Sequence, residues 1–189
     1  MMDIVQEARN YAVSELEKYG SPLSLHFEIS EKKGVGLAEK LSADITIVSL
    51  GVYFMDLKLG EALKKDRLKE HIQMSVEAAK EFFITQPFGE NPERKVINCI
   101  EAHHGEIPFL CPEAEICANA DCYRFLHPKG FFAYLALLGG RGNQFADCFR
   151  FAEEKLEEKH RILSLDICKQ ELEPHYIALK KLIAAAREL

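Results

Sequence analysis

From Ile45 to Met55 the chain reads Ile-Thr-Ile-Val-Ser-Leu-Gly-Val-Tyr-Phe-Met, apolar almost all the way round at helical spacing. A helix of that kind is stable only when other elements wrap it. The run is also far short of the ~20 apolar residues that span a bilayer. It therefore predicts a central helix inside a helical bundle, with no membrane segment. Elsewhere apolar residues recur at intervals of three and four, and no stretch shows the strict alternation of a strand bounded by hairpin signals. The fold class is all-α, a bundle of about eight or nine helices.

With 189 residues, the chain has the length of a single domain, and 48 % apolar against 29 % charged residues is enough to bury a core. Its 24 basic and 30 acidic side chains give a net charge of −6. The basic residues form no run that tracks a phosphate backbone, which argues against extended nucleic acid as a partner but not against a small phosphorylated ligand. Met1 to Glu7 carries neither the basic nor the apolar region of a signal peptide, so the expected location is cytoplasmic. The six cysteines have irregular spacings without a C-x-x-C pair, and they are expected to be reduced, mostly buried thiols. Zinc held by Cys111 or Cys122 is a minor alternative, since the spacings match no zinc module.

The periodicity predicts helices over 5–19, 22–41, 45–56, 68–83, 93–104, 113–126, 131–138, 143–159 and 165–188. Gly20 stops the first, and Ser21-Pro22 is expected to cap and open the second. Residues 61–69 read as a charged connection, Gly139-Gly140 as a terminator, and Pro174 as a point where the last helix bends or splits.

Several imidazoles and carboxylates fall on core-facing positions. His26 heads a row of small residues, His26, Ser30, Gly34 and Ala38, that lets a neighbouring helix come close, although Gly34 costs about 1 kcal/mol of helix propensity. His71, Ser75 and Ala79 form a similar row. His103 and His104 end a helix whose apolar residues Val96, Ile97, Cys99 and Ile100 point at them. Asp121 shares a stripe with Ala114, Ala118 and Phe125, where a carboxylate needs a cation, a metal or several donors. Arg124 is its ordinary partner. Asp56 ends the most apolar helix, at the wrong end of the helix dipole, and needs a positive neighbour, with Lys58 the simplest. Imidazole and carboxylate together are a ligand set for first-row transition metals, and bundles build such sites from facing helices.

The order His26, Met55-Asp56, His71, His103-His104 and Asp121 resembles the HD-domain superfamily of metal-dependent phosphohydrolases. Supporting segments are Gly36-Leu37-Ala38, Ile100-Glu101-Ala102-His103, and Pro112 to Ile116 leading to Ala120-Asp121. The resemblance covers about residues 22–132 and implies a single domain of HD type over 1–189. A helix at 3–19 and helices at 143–188 would pack on that core. It implies His26, Asp56, His71, His103, His104 and Asp121 as metal ligands, and Asp56 and His26 as catalytic groups. It further implies a divalent cofactor (Mn, Fe, Mg, Co, Ni or Zn) and a small phosphomonoester or nucleotide-type substrate. Two departures stand out. The histidine of the His-Asp doublet is Met55, a soft and weak ligand that damages a first subsite of His26, position 55, Asp56 and Asp121. The lysine often found after the doublet is displaced, with Leu59 in its place and Lys58 one residue early.

In the hydrolase reading Arg124, Lys129 and Arg141 are candidates to hold phosphate. Met55 motivates a second reading, a degenerate domain that binds metal or ligand without turnover. A third is a helical interaction protein, a homodimer through the stripe of Leu179, Leu182 and Ile183, although such stripes more often belong to the core.

Overall fold

The computed structural model describes residues 3–188, so Met1, Met2 and Leu189 lie outside it. Among the described residues ten α-helices run in the order α1 (Ile4–Tyr19), α2 (Ser24–Leu41), α3 (Ile45–Met55), α4 (Leu59–Lys64), α5 (His71–Thr85), α6 (Glu90–Ala102), α7 (Pro112–Leu126), α8 (Pro128–Gly140), α9 (Phe145–Ile162) and α10 (Asp166–Arg187), with a 3-10 turn at Leu68–Glu70. No strand occurs among the described residues, and none of their helices is long and apolar enough to cross a membrane.

The α3 helix is central, as its composition requires: from Ile47 to Met55 every residue is buried. Asp44 starts it by accepting the backbone N–H groups of Thr46 and Ile47 at 2.9 and 3.2 Å. Helices α1, α2, α5, α6 and α7 pack around it. Gly51 permits the closest of these contacts, since a Cβ there would sit 2.7 Å from Cys99 Cβ and Cys117 Sγ.

A second central helix is α7, in which all residues but Pro112 and Glu115 are buried. Its polar residues conceal this in the sequence, and each is engaged. Asn119 accepts the backbone N–H groups of Ser164 and Leu165, both at 3.1 Å, and so fixes the turn between α9 and α10. The row of small residues on α2 brings that helix against both central helices: a Cβ on Gly34 would lie 3.0 Å from Val52, 3.2 Å from Val48 and 3.7 Å from Ala120.

Several boundaries differ from the sequence expectation. Leu23 is extended, so α2 opens at Ser24 and Pro22 precedes it. Residues in the charged connection form α4 and the 3-10 turn. Gly139 and Gly140 remain helical, and the left-handed residue that lets the chain turn away is Gly142, at φ 82°. Pro174 does not split α10, which runs unbroken to Arg187. All six cysteines are free thiols, five of them buried and Cys111 partly so. Leu179 and Ile183 belong to the core, while Leu182 is exposed.

Candidate metal centre

Asp56 caps the C-terminal end of α3, and the helices around it bring three imidazoles to its side. One ligand atom from each of Asp56, His71, His103 and His104 lies within 4.8 Å of every other. His71 opens α5, and His103 and His104 follow the end of α6. Placement at helix ends lets three elements meet at one carboxylate.

The tautomers are set by the backbone. His71 Nδ1–H donates to Leu68 O and His103 Nδ1–H to Ile100 O, both at 2.7 Å. In each neutral ring the Nε2 lone pair then faces Asp56 Oδ1, at 3.6 Å from His71 and 3.7 Å from His103. Neither separation is a hydrogen bond. His103 is 1 % exposed and its Nε2 has no hydrogen-bond partner among the described residues. Lone pairs converging on a carboxylate oxygen in the protein interior need a cation between them, and the donors fit one: ligands of a common ion at ~2.1 Å stand roughly 3 to 3.5 Å apart. His104 Nδ1 is 3.2 Å from Glu158 Oε1 and 3.4 Å from Lys159 Nζ. Burial lowers the pKa of His104.

The other oxygen of Asp56 is engaged differently. Arg124 Nη1 donates to Asp56 Oδ2 and also to Asp121 Oδ1, the latter at 2.7 Å. Lys159 Nζ lies 2.7 Å from Asp121 Oδ2. Arg124 is 4 %, Lys159 1 % and Asp121 1 % exposed. Burial opposes ionisation of both carboxylates, yet Arg124 holds Asp56 well below the usual carboxylate range, and Lys159 with Arg124 does the same for Asp121. The cation that Asp56 needs is thus Arg124 and not Lys58, which pairs with Glu15 at 2.8 Å and Glu61 at 3.3 Å. The assignment of Arg124 to Asp121 holds, and the same guanidinium spans to a second carboxylate. Lys159 escaped the sequence reading, although the spacing of Cys148, Ala152, Leu156 and Lys159 places it on the buried stripe of α9.

His26 and Asp121 lie outside the cluster formed by Asp56 and the three other histidines. His26 Nε2–H donates to Gly130 O at 2.9 Å, and its ring packs edge-on against Phe125, 5.1 Å between centroids. Burial, with Arg124 adding, lowers its pKa from 6.5 to about 4. Met55 is 2 % exposed and borders a narrow gap lined by Ala12, Leu16, Phe27 and Val52 as well as Asp56 and Arg124.

These groups border a pocket of about 200 Å³. His26, Asp56, His71, His104, Asp121, Arg124 and Lys159 line its polar part, Phe125, Tyr134 and several leucines its apolar part, and Arg141 and Lys155 are cationic groups along it. Lys155 pairs with Glu158 at 2.6 Å, whereas Arg141 is exposed and makes no ion pair among the described residues. Lys129 is exposed and is not part of this lining.

No family model matches the chain. Bacillus subtilis YpgQ in complex with ADP superposes on it with a TM-score of 0.70 at 18 % identity, covering 98 % of this chain and 94 % of that one. A predicted HD superfamily hydrolase from an uncultured Thermotogales bacterium superposes with a TM-score of 0.63 at 15 % identity, covering 95 % and 89 %. The chain has an HD-domain fold. A Ribonuclease Y from Finegoldia magna is 32 % identical over 111 residues, 58 % of this chain. The chain spans 20 % of that relative's length. Within the HD fold, the residues of the implied ligand set divide in two here: Asp56, His71, His103 and His104 form one group, while Asp121 is paired with two buried cations and His26 with a carbonyl.

Proposed function

We propose that the chain is a metal-dependent phosphohydrolase acting on a phosphomonoester or nucleotide-type phosphate ester. The observation that carries the reading is the cluster of Asp56, His71, His103 and His104, in which His71 and His103 are bound through Nδ1 to backbone carbonyls and Asp56, His71 and His104 line a pocket. Asp56, His71, His103 and His104 would hold a divalent ion. Three imidazoles with one carboxylate favour a first-row transition ion over Mg²⁺. When bound, such an ion lowers the pKa of water and offsets charge on phosphoryl oxygens.

The chain's own residues supply the rest. Arg141, exposed beside the pocket and free of ion pairs among the described residues, would take a phosphate. Phe125 and Tyr134, 5.2 Å apart, offer an apolar wall for a base or other organic group. His26 is uncharged near neutral pH and lines the same pocket; with Nε2 committed to Gly130, its Nδ1 is the atom open to a proton. A pocket of this size and a net charge of −6 suit a small ligand better than an extended strand. The YpgQ structure with ADP supports a nucleotide, and the likeness to Ribonuclease Y supports a phosphodiester.

Met55 favours a second reading, an HD-like domain that binds metal or ligand without turnover, because the thioether replaces an imidazole. The test is metal analysis of protein purified without chelator, followed by a phosphatase and nucleotide screen with Mn²⁺, Co²⁺, Ni²⁺ and Mg²⁺. Bound metal with hydrolysis that disappears in Asp56→Ala and His71→Ala supports the enzyme. Bound metal without hydrolysis selects the second reading, and full activity after metal removal contradicts both.

A further inference from the structure

We propose that this site takes a single divalent ion, on the His71 and His103 side of Asp56, and that Arg124 and Lys159 are built-in cations standing where a second ion would otherwise bridge Asp56 and Asp121. The inference rests on the metal-dependent reading above and specifies how many ions that reading involves.

The two sides of Asp56 differ in charge balance. On one side, Asp56 Oδ2 and both oxygens of Asp121 are already met by cations: Arg124 Nη1 reaches both carboxylates, and Lys159 Nζ lies 2.7 Å from Asp121 Oδ2. Two carboxylates against two permanent cations leave no deficit for an ion to fill. Glu158 adds a further partner for Lys159, at 3.2 Å. On the other side, Asp56 Oδ1 faces the imidazoles of His71 and His103, and His103 Nε2 is buried without a hydrogen-bond partner among the described residues.

Donor chemistry agrees with the charge balance. An ion between Asp56 and Asp121 would have to displace a guanidinium and an ammonium that are both almost wholly buried. Met55, at the doublet position on this side, offers only a thioether as a replacement ligand. The stripe through Cys148, Ala152 and Leu156 shows that Lys159 is part of the packed core of α9. It is not a mobile surface group that happens to rest on Asp121.

The test uses Mn²⁺ with the full chain. Saturated protein is freed of loose metal and its bound Mn²⁺ counted by elemental analysis, and its electron paramagnetic resonance spectrum is recorded. One ion per chain with the six-line spectrum of isolated Mn²⁺ is expected. Asp121→Asn should leave that count at one, and Asp56→Asn should abolish binding. Two ions per chain, or an exchange-coupled spectrum, overturn this inference and leave the metal-dependent reading standing. No bound ion overturns that reading and this inference with it. One ion that a folded Asp121→Asn variant fails to hold also overturns the inference. Should that variant not fold, the wild-type count and spectrum decide alone.

Discussion

His103 Nε2 lies 3.7 Å from Asp56 Oδ1, buried and without a hydrogen-bond partner among the described residues. The contact costs stability in the metal-free protein, because a buried acceptor is left unsatisfied. An ion bound there satisfies both groups at once. Mn²⁺ or Zn²⁺ is therefore expected to raise the melting temperature, with a stabilisation of about 2.7 kcal/mol at a hundred times the dissociation constant. In His103→Ala the stabilisation by metal should vanish. Thermal melts with and without the ion check this; an equal metal-induced shift in both proteins contradicts it.

Arg124 joins two carboxylates that come from helices far apart in sequence. Taking away one partner of a buried ion pair is expected to cost about 3–5 kcal/mol, because it leaves charge uncompensated in the interior. Arg124→Met should thus be among the most destabilising single changes in the chain. Arg150, on α9, is a fitting control. It is exposed and, among the described residues, forms ion pairs only with Asp147 and Glu154 on its own helix, so Arg150→Met should cost no more than ~1 kcal/mol. Urea denaturation of the two variants at neutral pH measures the difference.

How much of this was legible in the sequence follows from what kind of signal each residue gives. Asp56 stood out because it ends the most apolar helix, and the lateral periodicity of α5 and α6 was enough to turn His71, His103 and His104 toward the core. Asp44 as a helix start and the close approach at Gly34 follow from local chemistry in the same way. The union of Arg124 with Asp56 is a tertiary fact across 68 residues, and no local pattern encodes it. Lys159 was readable in principle from the stripe on α9, but a charged residue near the C-terminus of a helix has a plainer explanation in the helix dipole. The central position of α7 was hidden for a related reason: Asn119, Asp121 and Arg124 make the helix look amphipathic, while each is satisfied by a partner brought in from α3, α9 or the turn before α10.

Burial that favours the neutral ring of His26 makes acid destabilise the fold. The unfolded chain takes up this proton near 6.5, and the folded one only near 4. In that window the unfolded state binds more protons, so the contribution is whole above 6.5 and declines as the pH falls toward 4. At 1.36 kcal/mol per pKa unit the full loss is roughly 3 kcal/mol. His26→Gln removes the titration while retaining a donor for Gly130 O. Denaturation of the metal-free protein at pH 7 and pH 4.5 should show the wild type losing about 2–3 kcal/mol more than the variant. Equal losses in the two proteins would rule out His26 as the source.

Gly130 holds His26 through its carbonyl, and it also sets how closely α8 can follow α7. A Cβ at this position would lie 2.3 Å from Arg124 O and 2.8 Å from Arg124 C, backbone atoms with no freedom to swing aside. Gly130→Ala must therefore push the start of α8 away from α7, at an expected cost of about 1–3 kcal/mol. The displacement carries Gly130 O away from His26, so the ring proton on Nε2 should exchange with solvent faster than in the wild type. Gly36, inside α2, gives the opposite case, since nothing lies within 4 Å of a Cβ there. Gly36→Ala should stabilise the protein by up to ~1 kcal/mol through helix propensity alone and leave the His26 proton unchanged. Melting curves and proton exchange at the His26 ring, measured on both variants, separate a crowded contact from a general effect of adding a methyl group to a helix.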